Sequence, residues 1–157
     1  MSGFTLVELM FTVIILAILT AAALPSFRSF IVKQRIKSAS FDLMSSMIMA
    51  RSEAIKRNAN VTVTPTGGSW LNGWTVNAGG SSVLSQSTLG GGVSVTCYAN
   101  GAAVAPCPNL TYTSNGRLIG AAAPSIQLNS TETTSVDTRC ISIDLSGRPN
   151  SRRANCP

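Results

Sequence analysis

The feature that most constrains this chain is an apolar segment over residues 4–24, in which Glu8 is the only charged side chain. As a helix, these 21 residues are about 31 Å long, which matches the hydrocarbon core of a bilayer. The segment exceeds the apolar region of a cleaved secretory signal, so it predicts a membrane anchor. A carboxylate in such an anchor costs at least about 2.5 kcal/mol, and we therefore expect a partner to neutralise Glu8. The alternative is an ordinary signal-anchor helix with an incidental Glu.

The rest of the chain, about 130 residues, is enough for one domain. It holds all twelve Lys and Arg residues but only five of the six acidic ones, so the domain is basic. It has no His, and its acidic residues are scattered, at positions 42, 53, 132, 137 and 144. General acid–base catalysis needs titratable groups that are held together. The composition therefore predicts that the protein is not an enzyme and has no cofactor.

Four cysteines stand at Cys97, Cys107, Cys140 and Cys156. In a chain that is exported behind an anchor, an even number of cysteines predicts disulfides. Three pairings are possible, of which Cys97–Cys107 with Cys140–Cys156 is the most local. A zinc site is not expected, because the chain lacks both His and a CxxC spacing. No other metal site is predicted.

Residues 26–57 predict a helix that follows Pro25, where the ring should kink the backbone or remove a hydrogen bond. Apolar residues recur there at helical spacing and predict the face that packs on the rest of the domain. They are Phe41, Leu43, Met44, Met47, Ile48, Ala54 and Ile55. Core filling is the expected role of the methionines, with a cofactor-binding cluster of Met44, Met47 and Met49 as the alternative.

After the helix ends at 58–60, the pattern changes to short β-like runs that are broken by Gly, Asn and Pro. It predicts strands near 61–64, 73–77, 83–86, 93–97, 110–113, 126–128 and 139–145. Trp70 and Trp74 are expected in the core. A long helix followed by an antiparallel sheet predicts an α+β fold.

The sequence GFTLVE at positions 3–8 resembles the processing site of type IV pilins and type II secretion pseudopilins. The resemblance implies that a prepilin peptidase cuts after Gly3 and that Phe4 becomes the methylated N-terminus. It also implies that Glu8 pairs with the N-terminus of a neighbouring subunit. An amino group and a carboxylate neutralise each other in a medium of low dielectric, where either alone is penalised.

Further segments resemble the GspH/FimT branch of this family, which includes the FimT and FimU minor pilins. They are ARSEAIKRN at 50–58, NGWTV at 72–76, SNGR at 114–117, and ISI with GR at 141–148. The resemblance implies a type IV pilin-like fold, in which a long helix packs on an antiparallel sheet domain. It also implies a minor pilin or pseudopilin whose partners are other major and minor pilins, the prepilin peptidase and the inner-membrane assembly platform.

The resemblance divides the chain into three parts. Residues 1–3 are the remnant of a cleaved leader, without the basic residues of family leaders, and 4–25 form the transmembrane and filament-core helix. Residues 26–157 form the globular domain, with a helix over 26–57, a sheet over 61–145 and a basic tail over 146–157. The expected location is the bacterial inner membrane, with one span and a periplasmic domain, and after assembly the extracellular pilus.

The basic tail carries Arg148, Arg152 and Arg153. If Cys156 is bridged to Cys140, the tail is a tethered loop whose guanidinium groups can bind phosphate oxygens. This pattern predicts binding of double-stranded DNA without sequence specificity, since the tail has no aromatic residue to stack on bases. Candidate extensions of the surface are Arg117, Arg139, Lys56 and Arg57.

Some FimT-type minor pilins of naturally competent bacteria are DNA receptors that use a C-terminal Gly-Arg-x-Arg motif. This chain matches the motif at Gly147 and Arg148 but has Asn150 at its last position. The resemblance therefore implies a role in natural transformation. Alternatively, the arginines are solvated, pair with Asp137 or Asp144, or contact a neighbouring pilin. The protein would then only prime pilus assembly, as FimU-like pilins do, or serve as a GspH-type pseudopilin of a type II secretion system.

Overall fold

The computed structural model describes residues 3–120, 123–132 and 136–157, and its first element is a single long helix, α1 (Leu6–Arg57). Met1 and Ser2 of the predicted leader lie outside the described residues. The two predicted helical segments form one helix of 52 residues that continues through position 25. At 1.5 Å per residue, α1 is about 78 Å long. It ends at Asn58, which adopts the left-handed conformation (φ 48°, ψ 40°) that Asn tolerates at helix ends.

The two halves of α1 differ in burial. Among the described side chains of residues 6–31 none is buried, whereas the second half presents a buried stripe to the rest of the protein. This stripe consists of Val32, Ile36, Ala39, Leu43, Met47, Ala50 and Ala54. Steps of three and four residues keep the stripe on one side of the helix.

The predicted packing face of α1 was wrong in part. Leu43, Met47 and Ala54 are buried, but Phe41, Ile48 and Ile55 are 59%, 54% and 51% exposed. Both sets have helical spacing, so periodicity alone does not tell which stripe packs on the protein's own sheets. The stripe that does so is rich in alanine, because small side chains let the sheets approach the helix closely. Met47 fills the core and Met44 packs against it.

Nine strands follow in the described part of the chain, and they form two antiparallel sheets rather than one. They are β1 (Val61–Pro65), β2 (Trp74–Ala78), β3 (Ser81–Gln86), β4 (Val93–Ala99), β5 (Ala102–Val104), β6 (Leu110–Tyr112), β7 (Pro124–Ser130), β8 (Arg139–Ile143) and β9 (Pro149–Arg152). The first sheet has the order β3-β2-β1-β6, and the second has the order β5-β4-β7-β8-β9. α1 contacts strands of both sheets, so the core lies between the helix and the sheets.

Two strands are absent from the sequence-based prediction. β5 forms a hairpin with β4 through Asn100 and Gly101, which have φ values of 53° and 77°. These positive φ values are those of a tight hairpin turn. β9 lies within the predicted basic tail, so this segment is an edge strand paired with β8 and not a tethered loop. It was missed because it begins with Pro149 and lacks apolar alternation, which only an edge strand tolerates.

The aromatic core was predicted correctly. Trp70 and Trp74 are fully buried, and their ring centroids are 6.0 Å apart at an interplanar angle of 56°. The indole Nε1–H of Trp74 donates to Ser46 Oγ of α1 at 2.9 Å. A buried Trp needs such a partner, so this hydrogen bond fixes the sheet against the helix.

Two disulfides, Cys97–Cys107 and Cys140–Cys156, close the domain, and they are the most local of the three possible pairings. The first joins β4 to the segment before β6. The second ties the end of the chain to β8. Cys156 also donates its backbone N–H to Gln127 Oε1 of β7 at 2.8 Å. The segment that follows β9 is therefore held on the second sheet by two contacts of Cys156.

Replacing Leu43 by Ala should lower the free energy of unfolding by about 2–5 kcal/mol, because it removes a fully buried side chain from the core. The matched control is Phe41→Ala, which removes an exposed ring and should cost less than about 1 kcal/mol. Urea unfolding of fragment 28–157, which keeps every buried side chain of the described residues, measures both losses. Equal losses would show that α1 packs on the sheets through a different face.

Candidate assembly and nucleic-acid interfaces

Glu8 forms a capping box at the start of α1. Its backbone N–H donates to Thr5 Oγ1 at 3.3 Å, and its carboxylate accepts from both Thr5 N–H and Thr5 Oγ1 at 3.0 Å. The carboxylate thus satisfies free donors at the helix N-terminus and lies at the positive end of the helix dipole. The Thr-x-x-Glu spacing is typical of this box in a sequence, but Glu8 was predicted as an isolated charge without its partner Thr5.

The residues next to the capping box are uncovered. Phe4 is 81% exposed, and nothing within 4 Å would meet a Cβ atom added to Gly3. Among the described residues, α1 is the helix that is long and apolar enough to cross a membrane. Its apolar half carries exposed Leu, Ile, Val and Phe side chains that its own domain does not cover.

The two arginines at the end of β9, Arg152 and Arg153, lie on opposite faces of the second sheet. Ser151 faces α1, because its Oγ lies 2.8 Å from Ser40 Oγ. Neighbouring side chains of a strand point to opposite faces, so Arg152 points away from α1. There it stands opposite Cys140 in register. Arg148, directly before β9, and Arg152 are both exposed.

Arg153 lies on the α1 side of the sheet. Its Nη1 is 3.9 Å from Asp137 Oδ2, and it lines a cleft between α1 and the β8–β9 edge together with Arg139. Lys33 and Lys37 of α1 line the same cleft. The structure therefore brings two of the predicted arginines together and adds two lysines that sequence reasoning missed. No sequence signal links these lysines to the C-terminal strand, because only the tertiary fold brings them together.

Arg117 and Arg148 follow two turns that pack on each other. A Cβ atom at Gly147 (φ 81°) would collide with the carbonyl oxygen of Gly116, so only glycine fits there. Arg51 of α1 donates its Nε–H to the same carbonyl at 3.0 Å. The two Gly-Arg segments noted in the sequence thus form one structural unit at the β9 end that lies away from the cleft.

Lys56 and Arg57 are engaged with an acidic residue of their own helix. Arg57 Nε lies 2.6 Å from Glu53 Oε2, and Lys56 Nζ lies 3.8 Å from Glu53 Oε1. The Arg57 hydrogen bond lowers the pKa of the Glu53 carboxyl below its ordinary value. Because both side chains are paired with Glu53, whose single carboxylate offsets one of their two positive charges, we assign Lys56 and Arg57 no part in the arginine surface.

Asp144 and Tyr112 lie near the paired turns. The hydroxyl of Ser146 and the backbone N–H of Arg148 donate to Asp144 Oδ1 at 2.6 and 2.9 Å. These bonds lower the pKa of the Asp144 carboxyl and hold the turn that leads into β9. Burial raises the pKa of Tyr112, whose hydroxyl has no hydrogen-bond partner among the described residues.

The remaining acidic and sulfur-containing groups do not form a metal-binding arrangement in the part of the chain that the structure describes. No group of three Asp, Glu or Cys side chains there could hold a metal ion, and all four cysteines are in disulfides. The chemistry that the described surface offers is charge pairing by guanidinium and ammonium groups.

Comparison with protein families matched residues 39–147 to the family described as type II transport protein GspH. This chain belongs to that family. Residues 1–24 match the prokaryotic N-terminal methylation motif. The GspH chain is thus a type IV minor pilin or pseudopilin of the FimT/FimU/GspH kind. The motif and the apolar half of α1 fit a membrane-anchored pilin that is assembled into a filament together with other pilins.

Solved structures of two such proteins share the fold of this GspH chain. The type IV minor pilin FimU of Pseudomonas aeruginosa has a TM-score of 0.63 at 20% identity, over 78% of this chain and 92% of that chain. The minor pseudopilin EpsH from the type 2 secretion system of Vibrio cholerae has a TM-score of 0.59 at 13% identity, over 78% and 99%. A comparison with curated protein sequences gave no match. GspH, FimU and EpsH proteins are structural components rather than enzymes.

Gly147→Ala in this GspH-family domain should lower the free energy of unfolding by about 2–4 kcal/mol, because the new methyl group meets a backbone carbonyl that cannot move freely. Gly79→Ala is the control, since Gly79 also has a positive φ (60°) but nothing within 4 Å of an added Cβ. It should cost only about 1 kcal/mol, from backbone strain alone. Thermal unfolding of both variants measures the difference. A Gly147 variant as stable as the Gly79 variant would refute the close packing of the two turns.

Proposed function

We propose that this GspH-family chain is a minor pilin of a type IV pilus that binds double-stranded DNA through C-terminal arginines during natural transformation. Before assembly it is anchored in the bacterial inner membrane by α1, with its domain in the periplasm. A prepilin peptidase cuts after Gly3, and the freed amino group of Phe4 is methylated. In the filament, this amino group meets Glu8 of a neighbouring subunit.

The assembly half of the proposal is supported by the exposed apolar half of α1. Full exposure of this surface to water is unfavourable, since each Å² of apolar surface costs about 25 cal/mol. A bilayer covers the segment before assembly, and the helices of other subunits cover it afterwards. Glu8 keeps its capping-box bonds to Thr5 but still carries an uncompensated charge, which the Phe4 amino group of a neighbour neutralises.

The DNA half is carried by one observation: Arg152 lies on the edge strand β9, Arg148 and Arg153 directly flank this strand, and both ends of the strand are held. The Asp144–Arg148 turn fixes one end of the strand, and the Cys140–Cys156 disulfide fixes the other. Side chains on a fixed strand lose less freedom on binding than those of a loose tail. Arg148 and Arg152 are four residues apart, which is about 13 Å in extended backbone, so they reach different phosphates of a duplex.

A second candidate is a pseudopilin of a type II secretion system. It is favoured by the family description and by the similarity to EpsH, which comes from such a system. This role needs the same anchor and the same Glu8 pairing, but it gives the β9 arginines no polyanion to bind. DNA binding therefore separates the two candidates.

Fragment 28–157 should bind a DNA duplex at low salt with no preference for sequence. Three phosphate contacts predict a slope of about −2 to −3 in a plot of log affinity against log salt concentration. Replacing Arg148, Arg152 and Arg153 by Gln together should abolish the binding that an electrophoretic shift assay detects. Lys56→Gln with Arg57→Gln is the control, because it removes two positive charges that are both engaged by Glu53. Failure of the unaltered fragment to bind DNA at low salt would exclude the DNA half of the proposal.

Glu8→Gln should leave the protein in the membrane but reduce its incorporation into filaments at least tenfold, because the neighbour's amino group loses its counter-charge. Thr5→Val is the matched control: it removes the capping-box hydroxyl and keeps the carboxylate. Quantitative immunoblotting of membranes and of sheared pili measures both variants. If Thr5→Val impairs incorporation as much as Glu8→Gln, Glu8 acts by capping its own helix and not by pairing between subunits.

A further inference from the structure

The cleft between α1 and the β8–β9 edge concentrates positive charge in an unfavourable way. Lys33 and Lys37 stand four residues apart on α1, a spacing at which like charges destabilise a helix. Arg139 begins β8 and Arg153 directly follows β9, one step beyond the register pair Cys140–Arg152. Like charges at neighbouring positions of adjacent strands are also unfavourable. Helix α1 and the β8–β9 edge thus each contribute a pair of positive charges to the same cleft. Such a cluster of positive charges is suited to binding an anion.

Among the described residues that line this cleft, Asp137 is the only carboxylate, against two lysines and two arginines. Its Oδ2 is 3.9 Å from Arg153 Nη1, and the two side chains are 53% and 65% exposed. An ion pair this exposed contributes little to stability, so an incoming anion can separate it at small cost. Asp137 therefore acts as an internal counter-ion that competes with an anionic ligand.

The position of the cleft along α1 favours DNA over membrane lipid as the source of the anion. Lys33 and Lys37 follow position 25 by eight and twelve residues, which places them about 12 and 18 Å further along the helix. The headgroup layer extends only about 5–8 Å beyond the hydrocarbon core. The cleft thus stands clear of the headgroups and is open to a polyanion in solution.

We propose that this cleft is a phosphate-binding site of the DNA interface, in which Lys33, Lys37, Arg139 and Arg153 bind the backbone and Asp137 weakens that binding. The inference rests on the proposed DNA-binding function and adds a second contact region to it. Arg152, on the outer face of the sheet, and Arg148, directly before β9, bind one stretch of backbone. The cleft binds another stretch beside α1, so the duplex crosses the edge strand β9.

The test uses the full chain in uncharged detergent micelles, with a short fluorescent DNA duplex as the probe and anisotropy as the readout. Lys33→Gln with Lys37→Gln should weaken binding about tenfold at low salt and reduce the salt slope by about 1–2, as expected for the loss of two contacts. Asp137→Asn should strengthen binding about threefold to fivefold, because it removes a repulsive charge close to the phosphate. The matched controls are Lys56→Gln with Arg57→Gln, and Asp42→Asn, which make the same charge changes on α1 outside the cleft.

The outcomes separate this inference from the proposed function. If the unaltered chain binds no DNA, both fall. If it binds DNA and responds to Arg148→Gln with Arg152→Gln, but each cleft variant equals its control, the cleft inference alone falls. Vesicles of phosphatidylglycerol are the second probe, used with fragment 28–157, which lacks the apolar segment that would insert into any vesicle. A cleft variant that loses vesicle binding but keeps full DNA affinity would identify a lipid site and overturn the inference.

Discussion

The apolar half of α1 has no cover in its own domain, and the rest of the account depends on this fact. Among the described side chains of residues 6–31 none is buried, whereas α1 from Val32 onward packs on both sheets. A single rigid element therefore joins a part that needs a bilayer or other subunits to a part that is folded without them. Glu8 lies at the far end of the uncovered part, where the capping box satisfies hydrogen bonds but not charge. The proposed pairing with a neighbour's amino group supplies that charge.

The packing of α1 on the sheets also determines which arginine side chains the domain exposes on each face. The buried stripe is rich in alanine, so the second sheet lies close enough to α1 for Ser40 and Ser151 to form a hydrogen bond. This contact fixes the orientation of β9. Arg152 consequently points outward and Arg153 points towards Lys33 and Lys37. One helix–sheet contact thus divides a run of arginines into two surfaces, and DNA binding by both would wrap the duplex over an edge strand.

Much of this architecture could be predicted from the sequence, and the failures have physical reasons. The apolar N-terminal helix, the buried tryptophans and the α+β plan followed from hydropathy, residue type and period. The face of α1 was misjudged, because Phe41, Ile48 and Ile55 look more like core residues than alanines do. β9 was missed, because an edge strand needs no apolar alternation. The cleft could not be predicted from the sequence, since its two lysines, Lys33 and Lys37, are about a hundred positions away from its two arginines, Arg139 and Arg153. By contrast, the Thr5–Glu8 capping box was visible in the sequence.

The most direct test of the central claim is the exact mass of the N-terminal peptide of this protein, isolated from assembled filaments. Pairing between subunits requires a free amino group four residues before Glu8. The account predicts a mature chain that begins at N-methylated Phe4 and retains the whole apolar segment. A filament-borne chain that keeps Met1 to Gly3, or that has lost residues 4–24, would contradict it, because the amino group and the carboxylate could not then meet.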